Sequence, residues 1–208
     1  ASPRAEEAAS GGTTSLNYQT NGEQWYARQD VWTADTNWGA RVGYGHRTGS
    51  DYRDGSGGET PSSYKSRNFD VSFGVDLQPG ESLELFVLHQ DQTDVELAGQ
   101  AFDLDLLQTD AVELTWSSAA TSWADHVEVE VWYNDTHLKG SSQRAGKRRI
   151  IPLFVEANLT GSTEAESLSS GAMIQSEWML SQNSQLAAGL DFRFIRQGLE
   201  EDLMVFGV

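Results

Sequence analysis

The chain has 208 residues, enough for one large domain or two small ones, and no shift in composition divides it. Apolar residues make up 38 %, with Gly 20, Trp 7, Cys 0 and a formal net charge of −17. These values exclude a disulfide framework and a thiolate metal site, argue against a nucleic-acid partner, which needs a basic surface, and suit a sheet with a wet interior better than a richly packed sandwich.

No apolar run reaches the ~20 residues of a transmembrane helix. A membrane strand needs only ~10 alternating residues, so its signal is period two and not a hydropathy peak. Residues 1–12 are small and polar, end in Gly11-Gly12 and lack a signal peptide's apolar centre; they read as a flexible leader or linker. Residues 13–208 read as one β segment. A strand is expected over Thr13–Thr20, closed by Asn21-Gly22 as a type I′ hairpin turn. Glu23–Ala34 follows, then the short turn Asp35-Thr36-Asn37. Trp38–Arg47 places Ala40, Val42 and Tyr44 on one face and Gly39, Arg41, Gly43 and Gly45 on the other. Residues 48–66 are a long loop rich in Gly, Ser and Asp.

The clearest strand is Phe69–Leu77, in which every odd position is apolar and every even one is small or polar. Gln78-Pro79-Gly80-Glu81 is a tight turn, and Ser82–His89 is the return strand. Gln90–Gln108 reads as a second long connection. Thr109–Ser117 carries Val112, Leu114 and Trp116 in phase. The short link Ala119–Asp125 leads to Val127, Val129, Val131 and Tyr133, which alternate with Glu128 and Glu130. Lys139–Lys147 is a third polar loop, Ile151–Leu159 a strand interrupted by Pro152, and Gly161–Ser170 a loop. Gly171–Ser181 and Gln185–Gly198 form the last pair, which brings the total to roughly ten strands in up-and-down order.

Long and short connections alternate along the chain. In a meander, alternate connections lie at opposite ends, so the long loops share one end, as in a membrane barrel. Trp25, Tyr26, Trp32, Trp38, Trp116, Trp132, Tyr133 and Trp178 fall toward strand ends, where such barrels carry aromatic girdles. The expected fold class is all-β: an antiparallel up-and-down meander, part of a transmembrane β-barrel. The other reading of the same alternation is a complete small barrel or a soluble β-sandwich acting as a binding or structural module.

Ser50-Asp51-Tyr52-Arg53-Asp54-Gly55 leads to Pro61-Ser62-Ser63-Tyr64 and an alternating strand, followed by Leu77-Gln78-Pro79-Gly80-Glu81-Ser82-Leu83-Glu84-Leu85 and Asp94-Val95-Glu96-Leu97-Ala98-Gly99-Gln100-Ala101-Phe102-Asp103. With Lys139–Arg149, these stretches resemble the early barrel strands of TonB-dependent outer-membrane receptors, over about Thr13–Leu159 and more loosely beyond. The resemblance implies a bacterial outer-membrane location and uptake of a scarce ligand such as a siderophore or other metal chelate. It also implies contact with lipid and lipopolysaccharide, energy from the TonB system, and loop residues Tyr52, Asp54, Tyr64, Gln100, Phe102 and Asp103 near ligand. A family barrel has 22 strands behind a plug and a TonB box. Neither a plug-like segment nor a TonB box stands out, and the chain ends in Met204-Val205-Phe206-Gly207-Val208 without the terminal aromatic. The expectation is therefore an N-terminal part of a barrel, completed by a plug and further strands from another segment or chain.

No residue pattern points to catalysis or to a cofactor. No Gly-X-Ser-X-Gly elbow occurs, and no Lys-Ser/Thr follows the Gly55–Gly58 cluster as a phosphate loop requires. His46, His89, His126 and His137 lack metal-pair spacing. The carboxylates Asp51, Asp54 and Glu59, and Asp91, Asp94, Glu96, Asp103 and Asp105, read as solvated acidic loops; a hard-cation site is the other reading.

Overall fold

The computed structural model describes residues 2–100, 102–119, 121–142 and 159–205. Its strands in chain order are β1 (Ala9–Gln19), β2 (Gln24–Ala34), β3 (Trp38–Gly49), β4 (Tyr52–Arg53), β5 (Glu59–Thr60), β6 (Tyr64–Gln78), β7 (Glu81–Val95), β8 (Asp103–Ser118), β9 (His126–Ser141), β10 (Leu159–Ser181) and β11 (Ser184–Val205). Nine of them form one sheet in the order β1-β2-β3-β6-β7-β8-β9-β10-β11, while β4 and β5 make a separate two-stranded ribbon. Every neighbouring pair is antiparallel. This is the expected all-β meander. Among the described residues, no second sheet is laid across the first, and the buried apolar side chains are only Ala34, Ala124 and Val127. The described residues form no dry core of the kind a sandwich requires.

Register explains why one residue in two is apolar. Val31 pairs with Val42, Val42 with Val71, Val71 with Val87, Val87 with Val112 and Val112 with Tyr133. Directly opposed residues share a face, so these side chains make one transverse row. The adjacent row runs Thr33, Ala40, Phe73, Leu85, Leu114, Val131, Ala172 and Phe192. This outer face is exposed: Val31 is 50 % accessible, Phe73 40 %, Leu114 42 % and Phe192 71 %. The opposite, inner face carries Arg28, Asp30, Arg41, Asp70, Glu84, Glu113, Glu130 and Asp191 (by the same registers).

Connections 35–37, 79–80, 119–125 and 182–183 lie at one end of the sheet, and 20–23, 50–63 and 96–102 at the other. The longest of these, 50–63, lies at the second end, here called the loop end, while 96–102 and 119–125, seven residues each, lie at opposite ends. Pro79 followed by Gly80 (φ +81°) fits the left-handed third position of a type II turn. The turn at 20–23 has Glu23 N–H bonded to Thr20 O, with positive φ at Gly22 and Glu23 but not at Asn21. That is the signature of a type II geometry and not of the expected I′.

Several boundaries differ from those expected, for one physical reason. The strands run past the apolar face toward the loop end, and there they are polar on both faces. Residues 90–95 continue β7, which shortens the expected loop 90–108 to 96–102, and β9 likewise continues to Ser141. The expected loop 161–170 lies wholly inside β10, where Glu164 meets Lys139 Nζ at 3.0 Å and His137 Nε2 at 3.3 Å. Cross-strand charge pairs of this kind hold a strand that its composition disguises. Residues 9–12 of the expected leader belong to β1, and the Trp32 ring lies over Gly11. The expected strand 151–159, apart from Leu159, and the run Lys147-Arg148-Arg149 lie outside the described residues.

Candidate functional site

Strand β3 offers a glycine at Gly39, Gly43 and Gly45 on its inner face, and this bare backbone lets neighbouring side chains lie flat. The Arg28 guanidinium donates to Asp30 at 2.8 Å and to Asp70 at 2.7 Å, and Arg41 donates to Asp30 at 2.7 Å and to Asp70 at 2.5 Å. A Cβ on Gly43 would collide with Arg28. Two cations and two anions thus neutralise each other across β2, β3 and β6, and the Asp70 side chain is only 7 % exposed. The lattice was missed as a unit in the sequence; its signal was the glycine stripe beside Arg41.

From β7 to β11 the inner wall changes character. Phe86, Glu113, Glu130, Trp132, Met173, Asp191 and Arg193 line a cavity of about 420 Å³. Trp132 lies across Gly171, and the Arg193 guanidinium sits 5.7 Å from the Trp132 ring centroid. Carboxylates outnumber cations on this side. Among the described residues, no group of three His, Asp or Glu is placed to hold a metal ion.

The loop end is tied together. Asn21 exchanges hydrogen bonds with the Arg53 backbone at 2.7 and 2.8 Å, anchoring the 20–23 turn to the ribbon. Asp51 accepts the Ser62 and Ser63 N–H groups at 2.9 and 3.0 Å. Ser63 in turn donates its hydroxyl to Glu96 at 2.8 Å, and Glu96 N–H bonds Ser63 O at 2.8 Å. Loops 50–63 and 96–102 therefore meet at a pair of carboxyl groups. Burial and the neighbouring Asp51 carboxyl push Glu96 above the usual carboxylate range, because the charged form is poorly solvated there and repelled.

Of the six predicted ligand residues, Tyr52 and Asp54 lie in the 50–63 connection, Gln100 and Phe102 in 96–102, while Tyr64 opens β6 and Asp103 opens β8. Tyr52 N–H bonds Ser62 Oγ at 3.0 Å within the ribbon. Asp54 accepts Ser56 Oγ at 2.7 Å, Ser56 N at 2.8 Å and Gly58 N at 2.9 Å, so it organises its own loop. The Ser56 hydroxyl, followed by those N–H groups, holds its carboxyl below the usual range. Tyr64 opens β6 on the inner face, packs against Gly49 and places its hydroxyl 3.4 Å from Gln24 Oε1. Gln100 is exposed and closes a turn by donating its N–H to Leu97 O at 3.0 Å. Phe102 packs over Gly161. Asp103, 1 % exposed, accepts Leu97 N–H at 2.9 Å and shapes the turn from within.

The aromatic residues also divide. Trp38, Trp116 and Trp178 lie on the outer face toward the short-turn end, and Trp123 packs on Trp178 with ring centroids 6.2 Å apart. Tyr18 and Trp25, 4.5 Å apart, and Tyr44 lie on the same face toward the loop end. Tyr26, Trp32 and Trp132 point inward instead.

No family model matches the sequence, and a search of curated proteins finds no match. Among solved structures, the chain is similar to one described as the copper transporter OprC, with a TM-score of 0.84 and 20 % identity, over 97 % of this chain and 31 % of that one. The likeness shows the fold, an antiparallel meander forming a segment of barrel wall. The chain spans about a third of the length of that neighbour.

Proposed function

We propose that the chain forms part of the wall of a transport barrel in the bacterial outer membrane, of TonB-dependent type, that admits a scarce ligand such as a metal chelate. The observation that carries this reading is the inversion of polarity: an apolar, exposed outer face backed by an ion-paired inner face, with no dry core among the described residues. Phe69–Leu77 extends about 27 Å along β6 at ~3.3 Å per residue. At a tilt of ~40° this spans roughly 20 Å, close to the ~25 Å apolar band of outer-membrane barrels. Tryptophans cluster at the short-turn edge of that face, and the tied loops 50–63 and 96–102 stand beyond the other edge.

In this reading the polar strand extensions and tied loops project outside the cell, and the exposed Asp54 and Gln100 are the first of the six candidates to meet ligand. Tyr52, Tyr64, Phe102 and Asp103 set the loop shapes behind them. The role is transport, without catalysis. The copper named for the structural neighbour makes a metal ion or its chelate the first substrate to test. Remaining strands must pair the free edges of β1 and β11, because an open edge in hydrocarbon costs several kcal/mol per unpaired group.

The test is uptake by metal-starved cells with and without the gene, together with fractionation of the protein. Accumulation of radiolabelled copper or iron chelate that requires the gene, is abolished by a protonophore, and accompanies an outer-membrane protein supports the proposal. A detergent-independent soluble monomer, or uptake unaffected by the protonophore, overturns it.

A further inference from the structure

The outer face of β10 forms a trough where that strand leaves the apolar band. Its outward residues run Glu166, Leu168, Ser170, Ala172 and Ile174. Ser170 stands between Tyr133 on β9 and Phe194 on β11, and Ala172 between Val131 and Phe192. Two small side chains among four large, exposed ones leave a furrow along the strand. At its loop-end mouth the furrow opens into a cavity of about 510 Å³ bordered by Asp135, His137, Glu166, Leu168 and Arg196. Asp135, Leu168 and Arg196 form one register row, so a carboxylate and a guanidinium flank β10 with backbones about 10 Å apart, at ~4.8 Å per strand. Other outward cations toward the loop end, Lys65, Arg67, His89, His137 and Lys139, each lie against a carboxylate. Among the described residues, neither Arg196 nor Asp135 makes an ion pair.

We propose that this cavity and furrow hold a phospholipid with a phosphoethanolamine head, its phosphate on Arg196, its ammonium on Asp135 and Glu166, and an acyl chain laid along Ser170 and Ala172. The inference rests on the outer face being the one that meets lipid. Position selects an amphiphile. On one side of the cavity the wall is apolar, with Tyr133, Phe192 and Phe194 exposed; on the other the strand carries Glu164 and Glu166. Charge selects the head. A head bearing phosphate alone would meet two carboxylates, and a purely cationic one would meet Arg196. A phosphate and an ammonium two methylenes apart satisfy both sides at once. The guanidinium fork suits phosphate oxygens, and a primary ammonium offers three N–H donors to carboxylates, whereas a quaternary one offers none. His137 lies 3.3 Å from Glu164 and 3.8 Å from Glu166, so it steadies Glu166 and leaves Asp135 to the ligand.

The test is retention from mixed detergent micelles holding equal amounts of phosphatidylethanolamine, phosphatidylcholine, phosphatidylglycerol and lipopolysaccharide. The full-length protein is washed, and the lipid it keeps is extracted and measured by mass spectrometry. Phosphatidylethanolamine should be kept several-fold over the other three, and less so when washed in high salt, a readout that requires no variant to fold. Arg196→Gln should lose most of that retention, and Arg196→Lys should keep part of it. Asp135→Asn combined with Glu166→Gln should abolish the preference over phosphatidylcholine. Ala172→Trp, which fills the furrow, should lower retention of phosphatidylethanolamine. Equal retention of the four lipids, a preference for lipopolysaccharide, or retention indifferent to these substitutions overturns the site. The chain contains no cysteine, so Phe73→Cys tests the lipid-facing surface separately: in membranes it should react with a lipid-soluble but not a water-soluble maleimide. If that thiol is water-accessible, the lipid-facing reading itself fails; if it is shielded and no lipid preference is found, the headgroup site alone fails.

Discussion

Leu114 and Thr115 are neighbours in sequence on opposite faces of β8, and an arginine at each should give opposite outcomes. Leu114 stands on the outer face between Leu85 and Val131 and is 42 % exposed. Arginine on the lipid face of a membrane barrel costs about 2–4 kcal/mol near the midplane. Leu114→Arg should therefore lower the folded-to-unfolded ratio by roughly 100-fold at ~1.4 kcal/mol per tenfold. Thr115 lies inward between Glu84 and Glu130. There a guanidinium finds carboxylates in a hydrated setting, and Thr115→Arg should change stability by less than ~1 kcal/mol. Urea titration of the protein folded into phosphatidylcholine vesicles, followed by tryptophan fluorescence, measures both. Equal losses for the two variants, or a Leu114→Arg cost under ~1 kcal/mol, would refute the assignment of the outer face to lipid.

Two further outcomes follow from the ion-pair lattice and the loop contact. Asp70→Ala leaves the Arg28 and Arg41 guanidiniums sharing Asp30, and should cost about 2–3 kcal/mol, less than a fully buried pair because Arg28 and Arg41 remain 19 % and 29 % exposed. Asp70→Asn should recover part of that, and a loss below ~0.5 kcal/mol in the same titration would show the lattice to be energetically idle. Glu96 is held above its ordinary value by burial and Asp51. Its contribution to joining the loops is therefore complete below that ordinary value and fades as pH rises through the raised one. Hydrogen exchange of the Glu96 N–H, corrected for intrinsic rate, should show stronger protection at about pH 4, below the ordinary glutamate value, than at about pH 8. Glu96→Gln, which keeps the shape without the charge, should flatten that dependence; an unchanged or inverted profile contradicts the linkage.

The faces of the sheet were legible in the sequence where the side-chain period was undisturbed. Phe69–Leu77 and the Val127–Tyr133 alternation each place their apolar residues outward in the structure, because period two is a geometric property of an extended chain. Strand ends were not legible for the same reason inverted. Beyond the apolar face, as at His89–Thr93 or Thr163–Glu166, both sides of a strand meet polar surroundings and the alternation vanishes although the ladder continues. Inward aromatics such as Trp32 and Trp132 escaped a face assignment because a glycine on the next strand, Gly11 or Gly171, makes room for each ring. The loop residues fared unevenly. Asp54 and Asp103 drew notice as carboxylates, but their oxygens are engaged by nearby backbone N–H groups, a local geometry that composition does not reveal.

The low apolar fraction and the large negative charge have a common structural origin. A soluble domain must bury apolar side chains from two directions, so it needs them on facing surfaces. This sheet needs them on one face and over only part of each strand's length, and 38 % suffices. The remaining positions face water or other polar groups, and there charge is limited by what it meets. Around Asp70 the chain carries its own counter-ions and fixes them over glycine, so substitution breaks a closed unit. Around Glu130 and Asp191 it carries acid without an equal number of bases, and Arg4, which reaches the inner face from residues 2–5, pairs with Asp76 on β6 instead.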